Sequence, residues 1–105
     1  DMPRAYLNLG FALMQLGRFN EALTASRKAL ELDPESKDTI TNHAVVELCA
    51  GDAKSVIASL HALRERDPAY PMVYAGLGAA YCCEGDMTKG MEYLDFVISE
   101  IHGLR

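Results

Sequence analysis

A spacing of 34 residues is the feature that most constrains how this chain folds. Gly17, Gly51 and Gly85 are separated by that distance, and Pro34 and Pro68 keep the same step. Self-similarity at a fixed period of this length is the signature of a repeat architecture. We therefore divide the chain into three repeats, which are residues 3–36, 37–70 and 71–104.

Large and small residues also recur at this spacing, and their order within each repeat predicts two packed helices. Large apolar residues follow a helical period, and small residues between them let two helix axes approach closely. A single helical hairpin cannot bury its apolar face alone, so neighbouring hairpins must stack. The recurring sets are Tyr6, Ile40 and Tyr74; Leu9, His43 and Leu77; Gly10, Ala44 and Gly78; and Ala22, Val56 and Gly90.

Local signals place the helix ends. Gly17 ends the first helix, because glycine accepts the left-handed conformation that a helix end requires. Asn20 is predicted to cap the second helix, and Thr88 is predicted to cap its counterpart in the third repeat. Pro34 ends the second helix, because proline disfavours helical geometry in the residue before it.

The first repeat carries a recognisable motif. It contains Tyr-x-x-Leu-Gly-x-x-Leu from Tyr6 to Leu13, followed by Gly17, Ala22 and the pair Asp-Pro at 33–34. This pattern resembles the tetratricopeptide repeat family, and the resemblance covers nearly the whole chain. The second repeat departs most from it, since His43 and Glu47 replace large apolar residues.

The resemblance implies an all-α fold, a right-handed α-α superhelix, with residues 1–105 forming one repeat domain. In this family the first helix of each repeat lines a concave groove, and the second helices form the outer surface. By register, the groove positions hold mostly apolar side chains. They are Leu7, Phe11, Met14, Asn42, Val45, Leu48, Met72, Ala75, Ala79 and Cys82.

Two main interpretations of these groove residues are open at this point, beside a self-association face or an error in the register. In one, the groove binds a peptide or a segment of a partner protein as a helix-in-groove complex. In the other, a neighbouring segment covers the apolar surface. Some family members clamp the carboxylate of heat-shock chaperones with Lys, Asn and Arg, but only Asn42 fits that pattern here. The sequence therefore predicts no clamp of this kind.

We expect a non-catalytic protein–protein interaction module or scaffold, with no cofactor and no metal. No phosphate loop, nucleophile elbow or zinc motif occurs in the sequence. Two alternatives are a small secretion-type chaperone that shields an apolar cargo segment, and an accessory repeat region of a larger enzyme.

Composition narrows the classes of partner. The net charge of −5 argues against a basic nucleic-acid footprint. No apolar run reaches the ~18 residues that a membrane span requires. The three cysteines form no disulfide framework, which favours a reducing compartment and hence the cytoplasm.

Two features have no assigned role. His43 and Glu47 lie four residues apart, and we interpret them as an internal polar pair, with Arg64 as the expected partner of the carboxylate. The last helix carries Met91 and Ile98 without an obvious cap, which predicts further repeats or a homodimer through the C-terminal helix.

Overall fold

The computed structural model describes residues 2–101, and all the regular structure in that range is helical. The helices are α1 Met2–Gln15, α2 Phe19–Leu32, α3 Lys37–Cys49, α4 Ala53–Arg66, α5 Pro71–Cys83 and α6 Met87–Ile101. The predicted all-α fold is therefore confirmed, with two helices in each 34-residue interval. Among the described helices, none combines the length and hydropathy of a bilayer span. His102 stands where Pro34 and Pro68 stand in the earlier repeats, so the last helix is expected to run on toward Gly103, and that end lies outside the described residues.

The three periodic glycines end α1, α3 and α5, as predicted. Gly17, Gly51 and Gly85 have φ angles of 78°, 93° and 92°, where a side chain would be strained. In each case the N–H after the glycine donates to a carbonyl five residues earlier, which closes a Schellman motif. These bonds, each of 2.9 Å, run from Arg18 to Leu13, from Asp52 to Glu47 and from Asp86 to Tyr81.

The predicted caps at Asn20 and Thr88 are wrong by two positions each. Only one residue separates each glycine from the next helix, so that residue takes the cap position. Arg18 stands there before α2 and makes no side-chain cap bond. Before α6, the carboxylate of Asp86 accepts a hydrogen bond of 3.1 Å from the backbone N–H of Lys89.

The chain divides between Asp52 and Ala53 into two compact units, which we call the N-terminal unit (α1–α3) and the C-terminal unit (α4–α6). In the N-terminal unit α1 packs on α2, and α3 packs on both. Small residues allow the α1–α2 contact: a Cβ on Gly10 would lie 3.4 Å from the carbonyl oxygen of Ala22. Ala22 and Ala29 are fully buried.

In the C-terminal unit α5 packs against both α4 and α6. The α5–α6 contact is close enough that a Cβ on Gly78 would lie 3.0 Å from the carbonyl oxygen of Gly90. Leu60, Val73 and Leu77 fill the core of this unit, with exposed fractions of 0–1%. Glycine at both crossing points is what brings these helices together.

Candidate partner-binding surfaces

Six of the ten predicted groove residues lie in the N-terminal unit, on the neighbouring helices α1 and α3. Leu7 is only 7% exposed and belongs to the core, so it supports this surface from beneath. Val45 is 40% exposed and offers the largest open apolar side chain of α3. The remaining four are half-buried: Phe11, Met14, Asn42 and Leu48.

A cleft of about 250 Å³ brings two of these residues together, Leu7 on α1 and Asn42 on α3. Its lining is more polar than the sequence indicated. Ser36 lies in this lining as the cap of α3, with its hydroxyl accepting a hydrogen bond from the backbone N–H of Thr39. This part of the surface suits a polar group of a ligand. The full lining is Pro3, Arg4, Leu7, Asp33, Ser36, Asp38, Thr39 and Asn42.

The other four predicted groove residues lie on α5 in the C-terminal unit. Met72 is 52% exposed, and Ala75 and Ala79 are half-buried beside it at helical spacing. The sulfur of Cys82 lies directly against Gly90 of α6. Cys82 therefore contributes to the packing of α5 on α6, and Met72 is the main apolar side chain that α5 exposes.

His43 and Glu47 are buried polar residues of α3, each 8% exposed. The Nδ1 atom of His43 lies 2.6 Å from the hydroxyl of the fully buried Ser26. Its Nε2 atom lies 3.6 Å from a carboxylate oxygen of Glu47. Burial lowers the pKa of His43, and the positive charge of Arg27 lowers it further. Burial raises the pKa of Glu47, with a smaller contribution from Asp52.

These contacts confirm an internal polar pair, held by a partner that the sequence did not indicate. Ser26 on α2 satisfies the imidazole of His43, so the group fastens α3 to α2. Arg64, expected beside Glu47, donates a hydrogen bond of 2.9 Å to the Tyr93 hydroxyl.

The C-terminal unit also contains an aromatic cluster, which the sequence analysis does not predict. The rings of Tyr81 and Tyr93 stack with centroids 5.8 Å apart and planes inclined by 7°. His61 of α4 bonds the Tyr81 hydroxyl at 2.8 Å through Nε2. The seven-residue spacing of Tyr74 and Tyr81, which puts both on one helix face, was the available signal. The cluster joins α5 to its two neighbouring helices.

A second groove, of about 640 Å³, lies between α1 and α2. The apolar motif residues Tyr6, Leu9 and Leu13 of α1 would be expected to fill the space around the α1–α2 contact, but they line this open groove. Leu9 is 48% exposed. The small residues Gly10 and Ala22 occupy the line of closest approach and leave the larger ones beside it. The lining is Tyr6, Leu9, Leu13, Glu21, Thr24, Ala25, Arg27, Lys28 and Glu31.

Within residues 2–101, no group of three or more His, Cys, Asp or Glu side chains is placed to hold a metal ion. Cys49, Cys82 and Cys83 are free thiols.

Known proteins resemble this chain both in sequence and in helical fold. A family model described as tetratricopeptide repeat matches residues 3–36, the bounds derived above for the first repeat. The TPR repeat-containing protein YpiA of Bacillus subtilis is 34% identical over 77 residues, which is 73% of this chain. The chain spans only 18% of the length of YpiA.

Solved structures share the fold at lower identity. The first TPR domain of human RPAP3 superposes with a TM-score of 0.79 and 17% identity, over 93% of this chain and 77% of that domain. The TPR2AB domain of yeast Sti1, in a complex with pHSP90, gives a TM-score of 0.76 at 24% identity. That match covers 94% of this chain and 41% of the Sti1 chain.

Proposed function

We propose that this chain, which belongs to the tetratricopeptide repeat family, is a non-catalytic protein–protein interaction module. Its partner is a peptide or protein segment that binds apolar side chains on the first helices of the repeats. The observation that carries this proposal is the exposure of apolar side chains on those helices. Val45 on α3 and Met72 on α5 are 40% and 52% exposed, and Phe11 and Met14 on α1 are half-buried.

The chemistry of these residues favours an apolar ligand with a few polar groups. Unbranched methionine adapts to differently shaped side chains, so Met14 and Met72 suit a permissive surface. The polar cleft beside Asn42 can receive a backbone amide or a polar side chain of the ligand. Affinity would come from apolar burial after association costs, and we expect a roughly micromolar Kd, about −8 kcal/mol.

The ligand of the Sti1 complex is not carried over to this chain. Recognition of a carboxylate requires charged donors in a fixed array. The positions that would supply them hold Leu7, Phe11, Asn42, Met72 and Gly76. We also propose a cytoplasmic location, which the three free thiols support.

The test begins with a random peptide library displayed on phage and selected against the wild-type chain. Selected peptides are labelled with fluorescein and titrated by anisotropy against the wild type, Val45→Glu and Met72→Glu. Leu16→Glu is the matched control. Leu16 is 70% exposed and lies outside the predicted groove, and the equivalent position of the third repeat already holds Glu84.

We expect the two groove variants to weaken binding by about tenfold or more, because a carboxylate would be buried against an apolar ligand. The control should bind as the wild type does. Equal affinity of all four proteins for every selected peptide would exclude this surface as the binding site.

A further inference from the structure

Three basic side chains lie around the stacked rings of Tyr81 and Tyr93, although the chain has a net charge of −5. Arg64 of α4 donates a hydrogen bond of 2.9 Å to the Tyr93 hydroxyl, and its Cζ atom lies 5.9 Å from the centroid of that ring. The ammonium group of Lys89 on α6 lies 5.1 Å from the centroid of the Tyr81 ring. His61 of α4 is bonded to the Tyr81 hydroxyl. Basic groups from two helices therefore meet at one aromatic pair.

The imidazole of His61 responds to the positive field at this place. Burial lowers the pKa of His61, and the charges of Arg64 and Lys89 lower it further. The exposed carboxylate of Glu65 on α4 raises this pKa, but its effect is the smallest of the four. Since Arg64 and Lys89 both act on the same imidazole, they are close enough to act together on an anion.

The equivalent place one repeat earlier has a different charge. There the positive charge of Arg27 acts on the carboxylate of Glu47, so one basic residue is matched by one acidic residue. In the C-terminal unit the position of Glu47 holds a phenol, and two neutral positions have become basic. The residues at these three positions are Leu30, Glu47 and Ser55 in the earlier place, and Arg64, Tyr81 and Lys89 in the later one.

This cluster belongs to the inner side of α6, where the helix faces α4. The bond from Arg64 turns Tyr93 toward α4, and Lys89 precedes Tyr93 by four residues on the same face of α6. The cluster is also open to solvent, because Lys89 is exposed and the side chains of Arg64 and Tyr81 are only half-buried. A ligand can therefore reach residues that three packed helices already hold in place.

We propose that this basic aromatic cluster binds an oxyanion, which is the carboxylate or phosphate group of a ligand. A guanidinium carries five N–H donors in a planar fork that matches either group. The Tyr93 hydroxyl accepts a hydrogen bond from one of the terminal nitrogens of Arg64 and so orients the guanidinium. Lys89 supplies a second positive charge from the exposed side. The site shares no residue with the groove surface proposed above for the partner segment.

The test follows the imidazole signals of His61 by NMR while sodium phosphate or sodium acetate replaces sodium chloride at constant ionic strength. The two salts distinguish phosphate from carboxylate as the source of the oxyanion. The signals of His61 are assigned by their absence from His61→Gln. The same titrations are made on Arg64→Gln, Lys89→Gln and the control Lys28→Gln. The control removes the same charge from an exposed lysine of the N-terminal unit.

At least one of the two anions should shift the His61 signals saturably and raise the pKa of His61, because a nearby anion favours the imidazolium. Lys89→Gln should weaken binding by about two- to fivefold. Arg64→Gln should weaken it by about tenfold or more, because charge-assisted hydrogen bonds are lost. The control Lys28→Gln should bind as the wild type does.

Two results would overturn the proposal. One is that neither anion shifts the His61 signals beyond the effect of chloride. The other is that Lys28→Gln weakens binding as much as Lys89→Gln, since the effect would then come from net charge and not from this cluster. Lys89 is exposed, so Lys89→Gln tests the site even if Arg64→Gln disturbs the packing of Tyr93.

Discussion

Alanine substitution at two buried helical glycines should change stability in opposite directions. Gly10 and Gly90 both lie at helix–helix contacts and both are buried. A Cβ on Gly10 would lie 3.4 Å from the carbonyl oxygen of Ala22, an ordinary contact. A Cβ on Gly90 would lie 2.9 Å from the carbonyl oxygen of Gly78 and 3.1 Å from the backbone nitrogen of Cys82. Both neighbours are backbone atoms, so relief requires α6 to move away from α5.

The expected magnitudes follow from two opposing effects. Replacing glycine with alanine inside a helix favours folding by about 0.8–1.0 kcal/mol. Overpacking a close contact costs about 1–3 kcal/mol. Gly10→Ala gains the first without the second, so we expect up to about 1 kcal/mol of added stability. Gly90→Ala incurs both, and we expect a net loss of about 0–2 kcal/mol.

The assay is urea unfolding of both variants and the wild type, followed by circular dichroism. For m values of about 1–3 kcal/mol/M, the midpoints of the two variants should differ by roughly 1 M, with Gly10→Ala the higher. If Gly90→Ala unfolds at the same urea concentration as Gly10→Ala, or at a higher one, the close α5–α6 approach is not what limits this position.

Two further predictions concern the buried polar group of α3. Burial lowers the pKa of His43 below 6.5, so the unfolded chain binds more protons. Stability should be full above pH 6.5 and fall as pH decreases toward the lowered value. The pKa of Glu47 is raised, so its effect on stability has the opposite pH dependence. The folding stability that Glu47 contributes is present below its ordinary pKa and is lost as pH rises through the raised value. Urea midpoints at several pH values should show a smaller loss below pH 6.5 in His43→Leu. Ser26→Ala should lower the unfolding free energy by about 1–3 kcal/mol, because His43 loses its buried partner, and an unchanged midpoint would contradict that role.

Local features of this protein were predictable because their causes are local. The turns at Gly17, Gly51 and Gly85 depend on a backbone conformation that glycine adopts readily, and its placement every 34 residues marks the ends of three helices. The helix starts were predicted less well. Asn20 has the right chemistry for a cap, but the Schellman turn before it leaves the cap position to Arg18.

The candidate surfaces were predicted only in part, because a helical stripe does not say which neighbour covers it. Cys82 occupies a predicted groove position, yet its sulfur packs on Gly90, where the missing side chain leaves space. The polar lining around Asn42 draws residues from α1, α3 and the loop between α2 and α3. Such a combination depends on how α1 and α3 lie together.

By itself, the sequence determined the period, the paired helices and the glycine turns, since each follows from backbone preference and from residues a few positions apart. Tertiary structure alone decided that Leu9 is open while Leu77 is buried, and that Ser26 is the partner of His43. These outcomes depend on which helix lies over a given face. A one-dimensional pattern records that a face is apolar, whereas its burial is decided by the partner that excludes water from it.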